Sequence, residues 1–94
     1  MSASPTERLI DLPPSAKLVF LVLEHHGLLT QQEICDESLL AARTVRYALT
    51  RLEDEGLIER EILFRDARKH TYSLSGAGEA VRSPQRKRSD SPEP

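Results

Sequence analysis

The chain has 94 residues, 38% of them apolar and 30% charged, enough for one hydrophobic core, so a single compact domain is expected. Its net charge of −2 excludes a molecule-wide basic surface, and its single cysteine, Cys35, excludes an internal disulfide and leaves a structural zinc site short of ligands. The longest apolar run, residues 18–23, is far below the ~20 residues of a membrane span, and the polar N-terminus has no apolar signal-peptide core, so a cytoplasmic protein without membrane contact is expected.

Residues 1–11 contain Ser4-Pro5 and few large apolar groups before Leu9 and Ile10, and residues 83–94 are almost purely Ser, Pro, Arg, Lys, Asp, Glu and Gln. A flexible N-terminal arm and a disordered polar tail are predicted, around a folded unit at 12–82. A unit of that size is near the lower limit for folding unaided, and dimerisation would help it. Pro13-Pro14-Ser15 opens a first helix over 15–26 and Gly27 ends it. Residues 18–23 are apolar at every position, so the apolar surface wraps around the helix. Either neighbouring elements enclose it, or Phe20 or Leu21 packs on a second copy; a buried strand is the alternative reading.

Residues 27–29 are short and extended. Thr30-Gln31-Gln32-Glu33 then has the capping-box pattern that starts a second helix. Ile34, Leu39 and Cys35 are expected to face inward, and Gln31, Gln32, Asp36 and Glu37 to face water. Cys35 reads as a small core filler, because its acidic neighbours disfavour a reactive thiolate.

A third helix over 41–55 is the most informative segment. Val45, Ala48, Leu49 and Leu52 form its buried stripe and Gly56 terminates it. The opposite face must then carry Arg43, Thr44, Arg46, Tyr47, Thr50 and Arg51. Residues 38–52 contain no acid, whereas an ordinary exposed helix mixes signs for i, i+4 pairing. Locally, residues 41–52 carry +3 between flanking segments of −3 (31–40) and −4 (53–61). Residues 57–64 and 71–74 alternate with period two and enclose a polar, basic loop at 65–70, which reads as a hairpin. Gly76 and Gly78 weaken any final helix.

Helix, extended segment, helix, tight connection, helix, hairpin: this order describes an α+β, mainly α, winged helix-turn-helix of three helices and a β-hairpin wing. In it the third helix enters the major groove of double-stranded DNA, about 12 Å wide, while Arg65, Asp66, Arg68 and Lys69 of the wing reach the flanking backbone or minor groove. The run Arg-Leu-Glu-x-x-Gly-Leu-Ile-Glu-Arg at 51–60, the preceding residues 39–50 and the wing Arg65-Asp66-Ala67-Arg68-Lys69-His70 resemble the MarR family of transcriptional regulators, in particular its small archaeal members. The resemblance implies transcriptional control by a homodimer on a pseudo-palindromic operator. It also implies groove-facing roles for Ala42, Arg43, Thr44, Arg46 and Tyr47, and a wing in which Asp66 holds Arg68 toward the minor groove. Family members carry long helices on both sides of this unit, where this sequence has short flanks, so no effector ligand is assigned.

His25 and His26 suggest a metal, but adjacent helical residues point about 100° apart, so no metal site is predicted. No glycine-rich phosphate loop, Ser/His/Asp set or carboxylate pair can be assembled, so neither a cofactor nor enzymatic activity is expected. The alternative function is a winged-helix interaction module that recruits a protein partner through the apolar first helix.

Overall fold

A computed structural model describes residues 4–62 and 70–81. Within them, α1 (Pro5–Ile10), α2 (Pro14–His26), β1 (Leu29–Thr30), α3 (Gln31–Ser38), α4 (Ala42–Asp54), β2 (Ile58–Ile62), β3 (His70–Leu74) and α5 (Gly76–Glu79) follow in order. The three strands form one antiparallel sheet in the order β1-β3-β2. This is the expected winged helix-turn-helix architecture.

The first departure lies in the expected N-terminal arm, where residues 5–10 form α1. Ser4 Oγ accepts the Glu7 amide at 3.2 Å, Glu7 Oε1 accepts the Ser4 amide at 3.0 Å, and Pro5 occupies the first turn. Leu9 packs against the core. Arg8 Nε donates to the Glu55 carbonyl at 3.2 Å and lies 3.5 Å from the Glu55 carboxylate, which ties the segment to the end of α4.

In α2, Ala16, Val19, Phe20 and Leu23 are buried while Leu18 and Leu21 face outward. The segment is a helix, which overturns the buried-strand alternative. Phe20, expected as a dimer contact, is 1% exposed inside the chain's own core and is unavailable to a partner; Leu21, at 51%, is on the surface. Gly27 ends the helix at φ 92°, a backbone angle that suits a residue without Cβ.

Thr30 serves twice, pairing with Thr71 at the end of β1 and capping α3 through the expected box, with Thr30 to Glu33 bonds of 2.8 and 3.2 Å. Ile34 is buried and Cys35 is half-buried against the core. Leu39 is not inward as expected. It is the left-handed cap of α3, at φ 62°, and 90% exposed, because the chain must reverse there to bring α4 across α3. After the turn, α4 places Val45, Ala48, Leu49 and Leu52 against α2 and α3, as its spacing requires. Its end is a Schellman turn: the Gly56 amide bonds the Glu53 carbonyl at 2.9 Å, the Leu57 amide bonds the Leu52 carbonyl at 3.0 Å, and Gly56 takes φ 73°.

Ile58 pairs with Leu74 and Ile62 with His70, so His70, expected in the loop, is the first residue of β3. Strand β3 is central, bonded to β2 on one side and to Leu29 and Thr30 on the other. Ser75 closes the unit. Its hydroxyl donates to the Gly56 carbonyl at 2.6 Å and accepts the Gly78 amide at 3.1 Å.

Candidate nucleic-acid interface

The buried stripe of α4 fixes what its other face can offer. With residues 45, 48, 49 and 52 turned inward, Ala42, Arg43, Arg46, Tyr47 and Thr50 are exposed, and Thr44 and Arg51 are half-buried at the margin. Among the described residues, neither Arg43 nor Arg46 makes an ion pair or side-chain hydrogen bond. Two guanidinium groups one turn apart therefore stand in water with their full donor capacity. A guanidinium fork matches phosphate or the O6/N7 edge of guanine bidentately, and an α-helix bearing such forks fits the major groove.

Two other residues of this face are held in place. Arg51 Nη1 donates to the Tyr47 hydroxyl at 2.9 Å, with the guanidinium carbon 5.9 Å from the ring centroid. The Thr50 hydroxyl turns back to donate to the Arg46 carbonyl at 3.0 Å, so its hydrogen is engaged within the helix while its oxygen can still accept.

Beside this face a cleft of about 480 Å³ runs between α4, the start of α3 and the β2–β3 strands. Arg46 and Thr50 form one wall, Arg60 and His70 the other, and Gln31 and Gln32 the end. Arg60 Nε lies 3.4 Å from Glu53 Oε2, joining β2 to α4. Tyr72 at the floor is 6% exposed; burial raises its phenol pKa above 10.0, Glu53 adds to the rise, and the charge and hydrogen bond of Arg60 oppose it. The sequence pattern does not single out Arg60, His70 or Tyr72. Period two in residues 57–64 could place Arg60 on the exposed face of its strand, but no local signal brings it to α4.

The wing residues Arg65, Asp66, Arg68 and Lys69 lie outside the described residues. What is described is their base: Ile62 pairs with His70 across the hairpin, and His70 lines the cleft together with Arg46. His25 and His26 pack edge to face at 4.8 Å, and His26 Nε2 lies 3.2 Å from Glu37. Among the described residues no group of three His, Cys, Asp or Glu side chains could hold a metal, and no helix is long and apolar enough to cross a membrane.

An exposed, arginine-bearing α4 beside a three-stranded sheet that ends in the β2–β3 hairpin defines the class of winged helix-turn-helix proteins. Within that class, residues 10–69 match the model of the MarR family, and the chain belongs to this family. The probable transcriptional regulator from Pseudomonas aeruginosa is 30% identical, with TM-score 0.70 over 74% of this chain and 53% of its own. The S. aureus MepR–DNA complex is 26% identical, with TM-score 0.70 over 82% and 63%. A mutant of MarR from E. coli, complexed with operator DNA, shares the fold at 22% identity and TM-score 0.70, over 82% and 56%. The chain thus spans little more than half the length of several of these relatives. No curated protein matches it.

Proposed function

We propose that the chain is a sequence-specific, double-stranded-DNA-binding transcriptional regulator, acting as a cytoplasmic homodimer without cofactor or catalytic activity. Its α4 lies in the major groove and residues 65–70 lie alongside, at the backbone or minor groove. The folded unit at 12–82 carries the function, with α1 packed onto it. One observation supports this reading most: Arg43 and Arg46 project from the uncovered face of α4 with no acidic partner among the described residues. The complexes of MepR and MarR with DNA support the same use of the fold.

Most of the affinity should come from phosphate contacts, and it should therefore fall steeply with salt. The test is fluorescence anisotropy of a labelled random duplex at low ionic strength, repeated as salt is raised. Binding at micromolar protein, with log Kd rising linearly with log salt, is expected. No binding at low salt would overturn the regulator and favour the interaction module. Genomic footprinting would then define the operator.

A further inference from the structure

The wall of the cleft that faces α4 is built by the side of the hairpin that starts in the core. In β2, Ile58, Arg60 and Ile62 share one face, and their cross-strand partners Leu74, Tyr72 and His70 share it on β3. Ile58 is buried, so this face is apolar at the core and cationic one pair further out, where Arg60 meets α4. Arg60 is held there from two sides: Nε lies 3.4 Å from Glu53 Oε2, and the guanidinium hydrogen-bonds the Tyr72 side chain. Its side chain is nevertheless 51% exposed, so part of the donor fork remains open to a ligand. His70, which lines the same wall, keeps Nδ1 buried without a hydrogen-bond partner, so this wall has bonding capacity that the chain itself does not use. Arg46 stands on the opposite wall. Among the described residues Glu53 is the one acid lining the cleft, and against two guanidinium groups it leaves a net positive charge.

We propose that one sugar-phosphate strand of the duplex crosses this cleft, with Arg60 bound to a backbone phosphate from the sheet side while Arg46 borders the same strand from α4. The proposal rests on the reading of α4 as the helix that enters the major groove, and deepens it by adding a contact from β2. The two grooves of B-DNA are separated by a sugar-phosphate strand that carries a charge about every 3.4 Å. When α4 lies in the major groove and the hairpin reaches the flank, that strand has to pass between them, and the space between them is the cleft.

Arg60 belongs to the sheet and not to the inserted helix, so its contact is with charge and carries no sequence information. A guanidinium already placed by Glu53 and Tyr72 also loses less rotamer freedom on binding than a free one. Arg60 thus contributes affinity and register on the duplex, and base preference is left to α4.

Fluorescence anisotropy of a labelled random duplex over a range of salt, with circular dichroism and thermal melting to check folding, tests this. Arg60→Ala should lower the salt slope by about one and weaken binding about tenfold at roughly 0.1 M salt. Arg60→Lys keeps the charge and should keep the slope. Glu53→Gln breaks the same ion pair but leaves the cation, so its slope should not fall, whereas a purely structural role for the pair predicts equal losses in Glu53→Gln and Arg60→Ala. A full slope in Arg60→Ala, or the same fall in Glu53→Gln, would overturn the proposal and leave the regulator reading standing. A wild type that binds no duplex would overturn the regulator reading and the strand contact with it.

Discussion

The Arg51 guanidinium is hydrogen-bonded at 2.9 Å to the hydroxyl of Tyr47, one turn earlier on the exposed face of α4, and lies 5.9 Å from its ring centroid. Holding a long side chain in one rotamer costs up to ~2 kcal/mol of entropy, and this contact has met part of that cost before DNA arrives. Tyr47→Phe removes the hydrogen bond but keeps the ring. It should weaken DNA binding a few-fold and leave stability within ~0.5 kcal/mol, because Tyr47 is exposed and unpacked. Anisotropy titration and thermal melting of the variant check both.

Arg43 and Arg46 should behave differently from Arg51, because neither is held by its own chain. Replacing either by alanine should cost ~1–3 kcal/mol and relax preference at one base position where it reads a base, or lower the salt slope by about one where it contacts phosphate. Unaltered affinity and slope in both variants would count decisively against docking of α4.

Gly78 is buried where α5 packs on Leu57 and Leu74, and a Cβ built there collides with the backbone carbonyl of Leu57. A backbone carbonyl cannot swing aside as a side-chain tip can. Gly78→Ala should therefore destabilise by ~1–3 kcal/mol, whereas Gly76→Ala, with nothing within 4 Å of its added methyl, should be neutral or stabilising by up to ~1 kcal/mol. Urea unfolding of the two variants gives the comparison directly.

Leu39 holds a left-handed conformation at φ 62° with 90% of its surface in water, so no packing compensates the strain. The left-handed region costs an L-residue ~1–2 kcal/mol, while a glycine loses ~0.4–1 kcal/mol through its freer unfolded chain. Leu39→Gly should thus gain ~0.5–1 kcal/mol, read as a Tm higher by a few degrees. An unchanged or lower Tm would mean that Leu39 contributes to the fold in a way its exposure does not show.

The Tyr72 phenol titrates above its ordinary 10.0, first because it is buried, then because Glu53 is near. A pKa raised in the folded state means that the folded chain holds its proton more tightly than the unfolded chain. No stability is lost below pH 10, and stability falls as pH rises from there through the folded value. Tyr72→Phe should abolish that alkaline decline, at some loss of stability at neutral pH from the missing bond to Arg60. Unfolding free energy measured from pH 9 upward shows whether the slope disappears.

Much of this architecture is legible in the sequence because its signals are local. A capping box at Thr30 and Glu33, glycines at 27 and 56, and the 45-48-49-52 spacing all act between residues within a turn or two of each other, so the sequence alone determined the helix-turn-helix and the exposed face of α4. The Ser4 and Glu7 box is equally local, but the few apolar residues around it give no sign that a helix there would find a core to pack on. Other features depend on partners distant in the chain. Arg8 meets Glu55, Leu29 pairs with Tyr72, and Arg60 reaches Glu53 only once the hairpin folds against α4. Six consecutive apolar residues in α2 could not reveal which were core: Phe20 turned inward and Leu21 outward because α3 and α4 pack on one side of that helix only. Leu39 left the core for the same kind of reason, since the reversal between α3 and α4 is set by the packing of the two helices and not by the hydrophobicity of the residue at the bend.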